Sequence, residues 1–380
     1  MNPTLDNSCP SKPNVLLFIN HLGKGGAEKQ LKLIIHELND KYSLYVACVN
    51  YKYDQESTKD NLSSTCNIIN LNISESLFTF SSIVKILKFI HFIRKEKIAI
   101  LHSWLFKSNT ISFFIKIFVP SIYLIVSQRG SNFWYTKKHL IFSKLLYTTC
   151  NHIVTNSSSI KNEILSYNNV SHKISVIPNA IEDNTQLNDV KFHPSMCLLK
   201  DNGRFIIGCV GRFVPEKRYD DIIEAFNIVL SKKKHIHLVI IGGRGNFLDL
   251  KNSIDNSPLA PFVSFTGEVN NVFPYLKAFD LFLLASSSEG MPNAVMEAML
   301  CGKAVVSTNV GAIPDLITHR VNGLLVAPYQ PEQLAEALLE LIDDRIQRKE
   351  YEKNNLLKIQ QFSTGKMITQ INQLWKKSCI

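Results

Sequence analysis

The chain lacks the marks of several protein classes. Its eight cysteines, Cys9, Cys48, Cys66, Cys150, Cys197, Cys209, Cys301 and Cys379, form no Cys-x-x-Cys pair, and none stands near a histidine at metal-ligand spacing. Cysteines scattered this way read as reduced, packed thiols of a cytosolic protein. No Asp-x-Asp pair and no histidine cluster is present. The opening stretch, "MNPTLDNSCPSKPN", is polar and has no charged-then-apolar secretory pattern. No apolar run is long enough to span a bilayer. The best candidate, residues 111–126, is interrupted by Lys116 and Pro120 and reads as a helix followed by a strand. Short-period repeats are absent. Basic and aromatic residues do not interleave as in a nucleic-acid-binding module, so nucleic acid is not expected as a partner.

What is present is an ordinary folded composition with a basic excess. Hydrophobic residues make up 45% of 380, and the formal charge is +10. The excess is uneven: residues 1–190 carry 20 Lys and Arg against 13 Asp and Glu, and residues 191–380 carry 22 against 19. A basic first half attracts anionic lipid or phosphorylated molecules. Its helical stretches "IVKILKFIHFIRKEK" and "TKKHLIFSKLL" mix apolar and basic residues, a pattern that suits an anionic membrane surface or a core-facing helix with a solvated rim.

At this length two domains are expected. Apolar strands such as "NVLLFIN", "YSLYVACVN", "IAILHSW" and "IYLIVSQRG" alternate with helical periods over the first half. The polar stretch 182–195 reads as a linker, after which the alternation restarts with "RFIIGCVGR". The reading is α/β: two Rossmann-like, doubly wound domains, 1–190 and 191–380, with the terminal helix free to pack back on the first. In such sheets ligands bind beyond the carboxyl ends of the strands, and the cleft between two facing domains is the expected active site.

Four polar motifs follow strands. "INHLGKGGAEKQL" brings Gly23, Gly25 and Gly26 to a helix start, where backbone N–H groups suit a phosphate or simply make a tight turn. It is neither a Walker motif nor the dinucleotide glycine pattern. "VGRFVPEKRYD" places Gly211, Arg212 and Lys217 in one loop, a planar fork and a point charge that suit a diphosphate. "IGGRGN", with Gly243, reads as a turn with backbone contacts at most. "SSSEGMPNAVMEAMLCG" sets Glu289 and Glu297 eight positions apart around the turn Gly290, Met291, Pro292, with Asn293 placed to cap the following helix. A carboxylate one turn into that helix suits the vicinal hydroxyls of a ribose. The same pair admits two other readings, a dipole-favouring helix start and the two carboxylates of a glycoside hydrolase.

Together with "VIPNAIED" and "NGLLVAP", these motifs resemble glycosyltransferase family 4, retaining enzymes of the two-Rossmann GT-B architecture. The resemblance covers nearly the whole chain, and the Glu-x7-Glu segment carries it most specifically. It implies a nucleotide-diphosphate sugar donor, UDP-linked by family frequency, bound mainly by the second domain, and a glycan or polyprenyl-diphosphate-linked acceptor bound mainly by the first. By the same resemblance Arg212 and Lys217 bind the diphosphate, Glu297 the ribose, and Glu289 the sugar near its reacting face. Gly290, Met291 and Pro292 offer backbone groups, and Gly25 and Gly26 close over the phosphates. No metal or other cofactor is implied. Where many relatives end a first-domain strand in histidine, this chain has Gln128 and Arg129, and His102 ends the preceding strand. His102 is therefore either an acceptor-side residue or a packed strand residue, and Arg129 is a candidate for an acceptor phosphate. The expected activity is sugar transfer in surface polysaccharide assembly, such as O-antigen, capsule or lipopolysaccharide, at the inner face of the cytoplasmic membrane. A nucleotide-sugar epimerase of the same architecture and a non-catalytic nucleotide-sugar-binding protein are the alternatives.

Overall fold

Long apolar runs become strands buried on both faces, as parallel sheets require. The computed structural model describes residues 12–23, 25–50, 66–73, 76–132, 134–182, 187 and 189–378. Within them the chain divides into two units, one of residues Met1–Asn156, Ile160–Pro178 and Gly365–Ile380, the other of Ser157–Ser159 and Asn179–Thr364. The readings of Cys9, Cys379 and the leader stretch fall outside the described residues.

The first unit holds a seven-stranded sheet in the order β3-β2-β1-β4-β5-β6-β7. Its strands are β1 (Asn14–Ile19), β2 (Ser43–Cys48), β3 (Asn67–Asn70), β4 (Ile100–Trp104), β5 (Tyr123–Gln128), β6 (His152–Thr155) and β7 (Ile174–Val176). Every pairing is parallel. Helix α1 (Gly26–Leu38) follows β1, α2 (Phe80–Lys95) precedes β4, and α3 (Phe106–Phe118), α4 (Lys137–Thr149) and α5 (Ser158–Leu165) link the strands after it. Side chains alternate across a strand. Leu16, Phe18, Leu101, Leu124 and Val126 therefore face one core with Phe89 and Ile93 of α2, Ile111 and Ile115 of α3, and Leu146 of α4.

The second unit holds a six-stranded sheet, β10-β9-β8-β11-β12-β13, again parallel throughout. The strands are β8 (Phe205–Val210), β9 (Ile236–Ile241), β10 (Val263–Gly267), β11 (Leu281–Leu284), β12 (Ala304–Thr308) and β13 (Gly323–Val326). Its helices are α6 (Pro194–Asp201), α7 (Tyr219–Lys232), α8 (Phe247–Asp255), α9 (Phe273–Leu276), α10 (Asn293–Leu300), α11 (Ile313–Leu316), α12 (Pro331–Asp343) and α13 (Arg345–Ile359); α14 (Thr364–Ser378) ends the chain. Phe226 of α7 and Leu338 of α12 pack with Leu238 and Leu283 on one face. Met296 of α10 and Ile313 of α11 pack with Phe282 and Val305 on the other. Both faces are thus covered, the doubly wound α/β arrangement.

The linker reading is corrected in part. Part of the stretch read as a linker is helical: α6 starts at Pro194, whose fixed φ suits the first helical position, and His193 accepts from the Ser195 amide. The stretch "NVFPYLKAFD" forms a single helical turn, Phe273–Leu276. Helix α8, Phe247–Asp255, follows the "IGGRGN" turn and had no counterpart in the sequence reading.

In each sheet one strand pair marks where the order reverses, β1 beside β4 and β8 beside β11. The loops leaving such a pair diverge and leave a crevice.

Candidate functional site

The loops after β8 and β11 carry the cluster. The loop after β8 runs from Gly211 through a short turn, Pro215–Lys217, to Arg218, which adopts a left-handed φ of 51° before α7 begins. Arg218 is held there by a two-pronged bond to Asp221, Nε to Oδ2 at 3.0 Å and Nη2 to Oδ1 at 2.5 Å. That bond also raises its pKa. Arg218 is therefore a structural residue of the helix start. Tyr219 donates its hydroxyl to the Gly211 carbonyl at 3.0 Å and stacks on Phe213 at 4.4 Å. These contacts fix the loop from below.

The loop after β9 lies alongside. Phe213 donates to the Gly243 carbonyl at 3.4 Å, and Asn246 to the Phe213 carbonyl at 3.0 Å. Gly242 has a φ of +151°, and a Cβ there would stand 1.8 Å from the Gly211 carbonyl oxygen. Only glycine allows the two loops this approach.

Across the switch point, β11 ends at Leu284, so Glu289 sits in the connecting loop rather than at the strand end. Its carboxylate forms an ion pair with Lys217, and Ser286, fully buried, donates to the same Oε1 at 2.6 Å. The Lys217 and Glu289 side chains keep only 18% and 10% of their exposure. The Ser287 amide donates to the Glu216 carbonyl at 2.8 Å, a second tie between the loops. Arg212, in contrast, is exposed and makes no ion pair among the described residues of its unit.

The turn after Glu289 is held from two sides. Ala312 donates to the Gly290 carbonyl at 3.0 Å. Gly311, at φ +55°, lies so close that a Cβ would stand 2.0 Å from the Glu289 carbonyl oxygen. From the other side Asn179 donates its Nδ2 to the Met291 carbonyl at 2.9 Å and to Asn293 Oδ1 at 2.8 Å. Asn293 is thus not the helix cap. Pro292 occupies the N-cap position, α10 begins at Asn293, and the Asn293 side chain is turned to Asn179. Glu297 lies in the second turn of α10 and is buried.

The second unit therefore brings Gly211, Arg212, Lys217, Gly243, Glu289, Gly290, Met291, Pro292 and Asn293 into one set of touching loops, with Glu297 on the helix that leaves it. Ser286 and Asn179 complete the set and were not assigned from sequence. The quoted motif "VIPNAIED" contained Asn179, but its partners lie more than a hundred residues away.

The remaining candidates belong to the first unit. Gly25 is the N-cap of α1, and the Glu28 carboxylate fills the space above it: a Cβ there would stand 2.3 Å from Glu28 Oε2. Glu28 also pairs with His21 at 3.0 Å. The helix start at Gly25 and Gly26 thus faces a carboxylate that sequence reasoning overlooked. His102 is fully buried, with Nε2 2.8 Å from Ser127 Oγ and Nδ1 accepting from the Trp375 indole at 3.3 Å. Nδ1 as acceptor makes Nε2 the donor, so the ring is neutral. Burial first, and Arg129 second, lower its pKa well below the usual 6.5. Of its two readings the geometry gives the packed strand residue. The Arg129 guanidinium lies 3.9 Å over the Trp104 ring, and burial lowers its pKa to about 9.

Among the described residues no group of three or more His, Cys, Asp or Glu could hold a metal ion. No helix among them is long and apolar enough to cross a membrane.

Residues 197–357 match the family described as Glycosyl transferases group 1, and residues 24–185 match Glycosyltransferase Family 4. The chain is 29% identical over 287 residues to the capsular polysaccharide biosynthesis glycosyltransferase CapM of Staphylococcus aureus, covering 70% of this chain and 73% of that one. A lipopolysaccharide core mannosyltransferase of Rhizobium meliloti, LpsB, is 29% identical over 38% of this chain and 43% of its own. Among solved structures, the Anabaena protein HepE in complex with UDP-glucose superposes with a TM-score of 0.81 at 20% identity, covering 96% of this chain and 99% of that one. The galactosyltransferase WaaB does so at 0.72 and 20% identity, over 96% and 99%.

Proposed function

The chain is a glycosyltransferase of family 4, group 1, with the GT-B fold, and from that premise we propose that it is a retaining enzyme acting on a UDP-linked sugar. The acceptor is a glycan or lipid-linked glycan of surface polysaccharide assembly, met at the inner face of the cytoplasmic membrane. The donor class is supported by the UDP and UDP-glucose complexes of HepE, and the pathway class by the capsular and lipopolysaccharide enzymes among the relatives.

The observation that carries the reading is the Lys217–Glu289 pair, with exposed Arg212 in the same loop as Lys217. In the transfer the C1–oxygen bond of the donor breaks and its electron pair leaves with the diphosphate. The acceptor oxygen bonds to C1 on the same face and gives up its proton to the departing diphosphate oxygen. Negative charge grows on the diphosphate and positive charge on the sugar ring. In this reading Arg212 and Lys217 are the cations that meet the first, and Glu289 is the carboxylate that meets the second. Glu297 accepts from the ribose hydroxyls, and the backbone of Gly290, Met291 and Pro292 lines the sugar and phosphate. No metal is invoked, because the two cations supply the neutralisation.

Purified protein incubated with labelled UDP-sugars, with and without membrane lipid extract, tests this. Transfer to the extract with retained configuration is expected. An isomeric nucleotide sugar formed without acceptor would make the protein an epimerase instead, and donor binding with no turnover under either condition would make it a binding protein.

A further inference from the structure

Helices α2, α3 and α4 line one side of the first sheet, and their outward surface is unusual. A helix packed on a sheet ordinarily turns polar residues outward. Here Phe80 at the start of α2 is 84% exposed, and Ile83 and Leu87 follow it on the same helix face. Phe118 at the end of α3 and Ile141 and Leu145 on α4 are exposed as well, Ile141 by 64%. A single exposed apolar side chain means little. Six on three helices that share one core are a surface feature. Arg94 on α2 donates to the Phe118 carbonyl at 2.6 Å, which ties the ends of α2 and α3 together.

The charge of the same layer is one-sided. Residues 76–162 contain 12 Lys and Arg but a single acidic residue, Glu96. Glu96 lies beyond the end of α2 and accepts from the Tyr45 hydroxyl at 3.1 Å. None of the three helices carries a carboxylate. Lys88, Lys95, Lys137, Lys138 and Lys144 are exposed and make no ion pair among the described residues.

We infer that the outward face of the α2–α3–α4 layer docks on an anionic lipid bilayer. Exposed apolar side chains interspersed with unpaired lysines and no carboxylates match the two parts of a membrane interface, acyl chains and acidic headgroups. A soluble acidic partner would account for the lysines and leave the phenylalanines and leucine unexplained. The inference gives the membrane contact of the proposed function a face. Its test reads binding alone, so its failure leaves the donor chemistry standing.

The experiment is sedimentation of the full chain with phosphatidylglycerol–phosphatidylcholine vesicles and with phosphatidylcholine vesicles. Binding to the first, weakening as salt is added, and none to the second is expected. Near an anionic surface each lysine contributes about a fivefold change in partition, so Lys137→Gln, Lys138→Gln and Lys144→Gln together should weaken binding about 100-fold. Leu87→Gln with Ile141→Gln should weaken it at least about tenfold. UDP affinity and the urea midpoint should not change in either variant. Equal binding to both vesicle types, or variants that bind as the native chain does, would overturn the inference. So would a dimer of this chain that the Leu87 and Ile141 changes dissolve without altering vesicle binding.

Discussion

The Lys217–Glu289 pair separates the two roles assigned to it. Removing one member of a buried ion pair costs about 3–5 kcal/mol. Here both side chains keep some solvent and Ser286 still donates to the carboxylate, so Lys217→Ala should lower stability by about 2 kcal/mol. The double change Lys217→Ala, Glu289→Ala should recover part of that loss, because no charge is left unpartnered, and urea unfolding of the four proteins reads the coupling. Calorimetric titration with UDP then divides the roles. Lys217→Ala removes a hydrogen bond to a charged group, about 1.5–3 kcal/mol or roughly 10–150-fold in affinity. Glu289→Ala frees Lys217 from its competing carboxylate, so UDP should bind as tightly as before or more tightly, while transfer falls by about 100-fold or more. Equal losses of UDP affinity in both single variants would refute the division of roles. Unchanged UDP affinity in Lys217→Ala would remove Lys217 from the diphosphate site.

Three further outcomes follow from the same geometry. Ser286→Ala should cost about 1–2 kcal/mol in urea unfolding and reduce transfer with UDP affinity kept, since the hydroxyl orients Glu289 alone. Gly311→Ala forces a left-handed φ on a residue with a Cβ and drives that Cβ into the Glu289 carbonyl. It should lower stability by at least about 2 kcal/mol in a thermal melt. Burial lowers the pKa of His102 well below 6.5 and that of His237 to about 4. Both folded values lie below the unfolded one. The stability they contribute is therefore complete above about pH 6.5 and is lost as the pH falls toward 4. Urea midpoints across that window should decline, and His237→Asn should make the decline shallower; a flat profile would contradict the buried neutral rings.

Much of the fold was legible because parallel strands are buried on both faces and announce themselves as unbroken apolar runs, as "NVLLFIN" and "IHLVIIGGRG" do. The loops that carry charge were legible for the same reason: they follow those runs directly. What escaped were features that depend on partners far along the chain. Asn293 looks like a helix cap in sequence, but Asn179 claims its side chain and Pro292 takes the cap position. His102 has no neighbour in sequence that distinguishes a ligand from a packed ring. Its deciding partner, Trp375, lies 273 residues away. Glu28 lies in plain view beside the glycines, yet only the structure shows its carboxylate over Gly25. Ser286 is one of three consecutive serines, and burial alone distinguishes it. Helix α6 was hidden because the polar stretch before it has no period, while Pro194 marks its start.

In the proposed function Glu297, buried in α10 of the second unit, accepts from the ribose hydroxyls of the donor. Calorimetric titration of the native chain and Glu297→Ala with UDP and with 2′-deoxy-UDP tests that claim most directly. The native chain should prefer UDP by roughly 10-fold or more, as a lost hydrogen bond to a charged group implies, and Glu297→Ala should bind the two alike. Equal affinity of the native chain for both nucleotides, or a preference that survives in Glu297→Ala, would contradict it.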